Sequence, residues 1–262
     1  MKELKFPLII LVVVVVILLV VFGILTENET ADNFSLNLIT EIVGIFLTVF
    51  LIDLVIKRRE NKKKKNILKN TYTQYKRPAQ TLLYFFAKVY KASTLERPSE
   101  WDTDYKTLFS TDQFYTSIRY LDFMKKAPVT PNTDWLNHSH HEMTEIKNGF
   151  DKILDKYAFT LDSKVISDLE WLSNNWIIKI LYSGPIYKAS DQSMDFKREN
   201  FCLLAIKSEN SDNPVKELID KVFEVAEYFE SITDEKSDIQ YFQSIWQENM
   251  SLQLSDSRVN AE

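Results

Sequence analysis

An unbroken apolar run near the amino terminus constrains this chain more than any other feature. Residues 6–25 contain no charge and no side chain that forms hydrogen bonds. As a helix rising about 1.5 Å per residue, the run measures roughly 30 Å, which matches the bilayer hydrocarbon. It is longer than the apolar part of a typical signal peptide, and no small-residue cleavage site follows it. The run predicts a transmembrane helix, and a cleaved signal peptide is the alternative.

A second apolar run covers residues 38–56 but contains Glu41 and Asp53. Its uncharged centre, residues 42–52, is eleven residues long. Apolar residues cover every side of the corresponding helix, so no polar stripe is wide enough to meet water. We therefore expect a second span that forms a hairpin with the first. A buried helix of a soluble domain is the alternative.

The charges that flank the two runs predict their orientation. Lysines precede the first run and a polybasic segment, residues 57–66, follows the second, whereas the connecting residues contain only acidic charges. The positive-inside rule then places both termini in the cytoplasm and the hairpin in the inner (plasma) membrane. The basic side chains of the segment are also expected to bind the anionic membrane surface. They are Lys57, Arg58, Arg59, Lys62, Lys63, Lys64 and Lys65.

Small and polar residues recur every four positions in the second run and predict a helix-packing seam. The seam consists of Thr40, Glu41, Gly44 and Thr48. Small residues at this spacing let helices approach closely, and polar ones form hydrogen bonds across the contact. The seam fits packing on the first span within one chain and equally fits association of several chains into a homo-oligomer.

The run Glu41-Ile-Val-Gly44, followed by Ile52-Asp53 and by Arg58-Arg59-Glu60, resembles a pattern in bacterial two-span membrane proteins of unknown function. The resemblance covers residues 41–60. It implies a bacterial origin and a mostly helical cytoplasmic tail. It implies no activity and no site residues.

Composition excludes several functional classes. The first 66 residues carry 9 basic and 7 acidic side chains, a charge of +2. Because the whole chain has a net charge of −5, the remainder has a charge of −7, which argues against nucleic-acid binding. One cysteine, Cys202 in an apolar setting, excludes a disulfide framework and fits a small core residue. Four glycines leave no room for glycine-rich phosphate loops.

Helical periodicity dominates residues 67–250, which predicts an all-α bundle of five to seven helices followed by a flexible tail at residues 251–262. A heptad pattern runs through Leu68, Tyr72, Tyr75, Ala79, Leu82, Phe86 and Val89. Either one bundle helix or a short coiled coil fits this pattern, with a kink or a new helix start at Pro78.

Further helices are predicted after the capping pair Ser110 and Gln113, across residues 135–157, from Asp162 or Ser163 to Gly184, and after Asn213-Pro214. Their apolar stripes predict the core faces. We interpret residues 92–110 as a loop and expect a last short helix around residues 242–246.

All three histidines fall within residues 138–141, the only cluster with metal-ligating chemistry. On a helix, His138, His141, Glu142 and Glu145 share one side, which suits metal coordination by imidazole and carboxylate. That side points about 180° away from the apolar stripe, so a solvated polar face is the expectation. The pattern also lacks the second histidine of the H-E-x-x-H zinc motif.

These observations predict a membrane-anchored helical module that acts through protein binding or regulation. No catalytic motif and no cofactor site is evident, so the chain is not expected to be an enzyme, with metal-dependent activity at the histidine cluster as the alternative. The expected partners are the lipid bilayer and a protein or a second copy of the chain, and not nucleic acid. The alternative is a membrane-disrupting effector, toxin-like or acting in phage defence, whose spans oligomerise when the bundle is triggered.

Overall fold

The computed structural model describes residues 29–95, 104–196 and 213–233, together with positions 10, 14, 15, 17, 18, 21 and 239. The chain divides into two compact units, Met1–Lys63 and Lys64–Glu262. Several predictions lie outside the described residues: most of the first apolar run, the setting of Cys202, the short helix at 242–246 and the tail at 251–262. Six positions of the first run are described, and all six are helical.

The first long helix, α1 (Glu29–Ser93), begins nine residues before the second apolar run. No helix among the described residues is both long enough and sufficiently apolar to cross a bilayer.

The carboxyl-terminal part of α1 forms the centre of the second unit. Every residue of the predicted heptad pattern, from Leu68 to Val89, is at most 2 % exposed, which confirms the pattern as one side of a bundle helix. The helix continues through Pro78, so the predicted new start there is wrong. The proline ring packs so closely on Gly149 that an added Cβ would lie 2.8 Å from Pro78 Cβ. This packing offsets the backbone hydrogen bond that proline cannot form.

Two short helices follow α1: the first lies in the region interpreted as a loop, and the second lies where a helix is predicted. Helix α2 (Tyr105–Ser110) is capped by the Asp104 side chain, and α3 (Asp112–Ile118) is capped by Thr111 instead of the predicted Ser110. Helix α3 ends at Ile118. The carbonyls of Lys125 and Phe123 accept hydrogen bonds from the first two backbone N–H groups of the next helix, at 3.1 and 3.2 Å.

Helix α4 (Trp135–Tyr157) has the predicted bounds. The single helix expected after it is two helices, α5 (Ser163–Asn174) and α6 (Trp176–Tyr182). Buried Asn175 breaks the helix because its side chain accepts from the backbone N–H of Ile177 at 2.9 Å. The break rotates the core face, so Trp176 is 41 % exposed while Ile177 is buried.

Helix α6 ends at Tyr182 with Ser183 as its cap, and Gly184, where the sequence predicts a helix end, begins another helix, α7 (Gly184–Ser193). The last described helix is α8 (Pro214–Thr233), where Asn213 caps the start and the predicted stripe is buried. Residues 64–233 thus contain the second part of α1 and seven further helices in the described ranges, more than the five to seven predicted. The described residues form no strand, which confirms the all-α class.

Candidate functional site

The first turns of α4 place His138 in the core, where the sequence predicts a solvated face. Its side chain is 5 % exposed, and its ring lies against Trp135 and Phe85, with centroids 5.6 and 6.1 Å apart. His138 Nδ1 lies 3.7 Å from Oε1 of Glu142. His138 Nε2 is buried and forms no hydrogen bond within the described part of the chain.

The prediction is wrong because α4 is covered on more than one side near its amino terminus. The apolar stripe used for the prediction begins at Met143, and the turns before it meet additional helices. Ser139 donates to the carbonyl of Leu136 and lies 3.4 Å from that of Leu181 on α6, and Leu136 O is 2.6 Å from where a Cβ on Gly184 would be. These contacts enclose residues that a single stripe leaves outside.

Burial sets the charge states of this pair. Removal from water, together with the positive charge of Lys88 and the neighbouring His141, lowers the pKa of His138 to about 4. Burial also raises the pKa of Glu142 above its usual value. At neutral pH the His138 imidazole is therefore uncharged, and the pair is not a full ion pair.

The remaining members of the histidine cluster point elsewhere. His140 Nδ1 forms a hydrogen bond with the carbonyl oxygen of Tyr182, and the two rings lie 4.8 Å apart. His141 and Glu145 are exposed. The structure thus brings together His138 and Glu142 of the four predicted ligands. Among the described residues, no three His, Cys, Asp or Glu side chains are arranged to hold a metal ion.

The polybasic segment lies on α1, and its nine positions from 57 to 65 cover the whole circumference of the helix at about 100° per residue. Lys57 Nζ donates to Asp53 Oδ2 at 2.8 Å, and Lys64 Nζ donates to Asp162 Oδ1 at 3.4 Å. The side chains of Arg58 and Arg59 are exposed. The basic residues of the segment therefore lie on most sides of the helix, and Glu60 occupies the remaining side.

The predicted seam residues all lie exposed on α1. A groove of about 410 Å³ is lined by Glu41, Gly44, Ile45, Thr48 and Val49. The Thr48 hydroxyl donates to the carbonyl of Gly44 at 2.8 Å, so this donor is satisfied within its own helix. A Cβ added at Gly44 would meet nothing within 4 Å. Gly44 accordingly has room for an approaching helix.

A second groove, the α2–α8 groove, was not predicted. It measures about 370 Å³ and is lined by Lys106, Phe109, Ser110, Lys216, Asp220, Phe223, Glu224 and Glu227. Lys106 Nζ donates to Glu227 Oε1 at 2.7 Å and lies 5.4 Å from the ring centroid of Phe223. Hydrogen bonds from Lys164 and Lys221 lower the pKa of Glu224 to about 2.

The sequence indicates one wall of this groove, the one formed by α8, but not the wall formed by α2. The charged residues of α8 recur at steps of four and three from Lys216 to Glu227, which predicts a polar helix side. The α2 wall was missed because residues 92–110 were interpreted as a loop. The Asp104 cap, whose side chain accepts from Lys106 N at 3.0 Å, is the local signal that identifies the helix.

Neither a family model, nor a curated protein, nor a solved structure matches the chain. The resemblance to bacterial two-span membrane proteins stays a prediction.

Proposed function

We propose that the chain is a membrane-anchored helical module, held at the inner membrane by the runs 6–25 and 38–56, which acts by binding a protein on the cytoplasmic side. The observation that carries the proposal is the apolar surface of α1. Seven of its side chains are between 48 and 67 % exposed: Ile45, Leu47, Val49, Leu51, Ile52, Val55 and Ile56. A contiguous apolar surface of this kind is typical of contact with lipid or another protein.

The charges of the second run are compatible with an interfacial position. The ion pair between Lys57 and Asp53 neutralises the carboxylate at the cytoplasmic end. The distance along the helix from Glu41 to Arg58 is then about 26 Å at 1.5 Å per residue, close to the hydrocarbon thickness of about 30 Å. Glu41 at the other end lies within reach of the headgroups.

The polybasic segment supports the same placement. Basic side chains next to a membrane span attract anionic lipid by about 1 kcal/mol each near the surface. Because its basic residues lie on most sides of the helix, the segment suits a helix that leaves the membrane surrounded by headgroups.

Fractionation of cells that produce the full-length chain tests the anchor. We expect the chain in the membrane pellet, resistant to alkaline carbonate and released by detergent. The triple variant Val14→Asp, Ile17→Asp, Val21→Asp places charge in the first run and should release the chain into the carbonate supernatant. Recovery of the unaltered chain from the cytosol without detergent would overturn the proposal.

The open groove at Gly44 favours a second candidate, an effector whose spans oligomerise and permeabilise the membrane. Its test is the membrane potential of cells after induction of the full-length chain. The effector function predicts depolarisation that Gly44→Leu abolishes. Phe46→Leu, about 200° away around the helix, is the matched control and should retain the depolarisation. An unchanged potential with the unaltered chain counts against this candidate and leaves the anchored module.

A further inference from the structure

We infer that the α2–α8 groove binds a segment of a partner protein that presents a lysine or arginine beside an apolar side chain. The inference rests on the proposed function, since it assigns the protein-binding surface of the module and the chemistry of its partner.

A position for a cation already exists in the groove. The ammonium of Lys106 donates a hydrogen bond to Glu227 at 2.7 Å and lies 5.4 Å from the centroid of the Phe223 ring. A carboxylate next to an aromatic face is the environment that recognises an ammonium or guanidinium group. Lys106 fills this position from within the chain, and its side chain is 43 % exposed, so an incoming cation has access to the same partners.

The wall formed by α8 favours a basic occupant over an acidic one. Asp220, Glu224 and Glu227 line the groove along one side of the helix. Lys164 and Lys221 already neutralise Glu224, so the attraction comes from Asp220 and from Glu227, which becomes available when the incoming cation displaces Lys106. The part of the chain after residue 66 also carries a charge of −7, which steers basic segments toward it.

The other end of the groove limits where the basic side chain sits. Lys216 lies eleven residues before Glu227, about 16 Å away along α8, and repels a cation at that end. Phe109 and Phe223 lie between the helices and provide apolar contact for a neighbouring side chain. The groove thus accepts one basic residue near Glu227 and an apolar residue beside it.

Binding in this way replaces one cation by another. The incoming side chain takes the position over Phe223 and bonds to Glu227, and Lys106 moves out into solvent. Lys106 is therefore a competitor for the site, and its removal should increase affinity. A merely structural role of the Lys106–Glu227 pair predicts no such gain.

The test uses the full-length chain in a neutral detergent and a dye-labelled peptide, acetyl-Ala-Leu-Lys-Leu-Ala-amide, followed by fluorescence anisotropy. We expect saturable binding that the matched peptide with glutamate in place of lysine does not show. Lys106→Met, which retains the apolar stem, should raise the affinity at least threefold. Asp220→Asn combined with Glu227→Gln should lower it at least fivefold.

Lys64→Met is the matched control, because Lys64 forms an exposed ion pair with Asp162, 3.4 Å, and neither residue lines the groove. Its affinity should equal that of the unaltered chain, and circular dichroism confirms that each variant is folded. Equal binding of the two peptides, no binding at all, or no gain from Lys106→Met would overturn the inference.

A second binding measurement uses spermidine in place of the peptide and tests whether the groove binds a free polyamine. Tight spermidine binding without peptide binding would contradict a protein partner. Photo-crosslinkers placed at Ser110 and, as a distant control, at Phe159 then separate the two proposals. A partner protein captured only outside the groove overturns this inference while the proposed function stands.

Discussion

Two stretches of helix α1 are both rich in apolar residues but differ in the exposure of those side chains. In residues 42–56 the apolar side chains on one side of the helix are partly buried, and the seven on the remaining sides are 48 to 67 % exposed. In residues 68–92 polar residues occupy one side of the helix, and every apolar side chain except Tyr84 is almost completely buried. The contrast shows that a helix with a polar side packs in a bundle, whereas a helix with apolar residues on every side requires another apolar surrounding.

The largest expected effect is the difference in stability loss between a substitution in the core and one in the exposed stretch of α1. Phe150 is 0 % exposed and its ring lies 5.9 Å from that of Tyr75. Phe150→Ala should lower the free energy of unfolding by about 3–5 kcal/mol because it leaves a cavity. Ile45→Ala, the matched control on the exposed stretch, should change it by less than about 0.5 kcal/mol. Chemical unfolding of the detergent-solubilised chain, followed by circular dichroism, measures both; similar losses would remove the contrast.

The same substitution at two glycines sharpens the comparison. A Cβ at Gly184 would lie 2.6 Å from the carbonyl oxygen of Leu136, a backbone atom that cannot rotate away. Gly184→Ala should therefore destabilise the bundle near the upper end of about 1–3 kcal/mol. Gly44→Ala meets open space and should leave thermal unfolding of the bundle unchanged. A tolerated Gly184→Ala would contradict the close helix contact.

The pH dependence of stability tests the buried imidazole of His138. Its pKa of about 4 in the folded chain lies below the usual value of 6.5, so the unfolded chain binds a proton first as the pH falls. Stability should accordingly decrease between pH 6.5 and about 4, by about 2 kcal/mol from pH 7 to pH 5.

The variant His138→Leu should remove most of this decrease, as measured by denaturant unfolding at the two pH values. The raised pKa of Glu142 acts in the opposite direction, because the folded chain then binds a proton more readily at low pH. Glu142→Gln should therefore steepen the loss toward pH 4. An unaltered pH dependence in His138→Leu would place the responsible group elsewhere.

The smallest effect is expected at the exposed ion pair between Lys64 and Asp162. Both side chains are more than half exposed, and the atoms are 3.4 Å apart. Lys64→Met should lower the free energy of unfolding by less than about 1 kcal/mol, and 0.5 M salt should abolish the difference. Urea unfolding with and without salt is the measurement, and a loss that persists in high salt would contradict simple charge pairing.

Much of the fold follows from the sequence where a long helix buries one stripe. The bounds of α4, the heptad pattern of α1 and the start of α8 at Asn213 and Pro214 are of this kind. The prediction failed where a single side chain redirects the backbone. Asn175 divides a helix by accepting from Ile177 N, and the Asp104 cap creates a six-residue helix in an assumed loop.

The candidate site was less predictable because it depends on contacts between helices that are distant in sequence. His138 is buried by Phe85 on α1, 53 positions earlier, which helical periodicity within α4 does not reveal. The α2–α8 groove likewise requires the pairing of Lys106 with Glu227, 121 positions apart. Local patterns identify which side of a helix is polar but not which other helix meets it.

Accessibility of single cysteines in intact cells tests the anchored topology most directly. Cys202→Ser removes the native thiol, and Asn28→Cys or Asp155→Cys then adds one cysteine between the apolar runs or on the bundle. A membrane-impermeant maleimide should label the cysteine at position 28 in intact cells, and the one at position 155 only after permeabilisation. Labelling of position 155 in intact cells, or protection of both positions until lysis, would contradict a hairpin with its bundle in the cytoplasm.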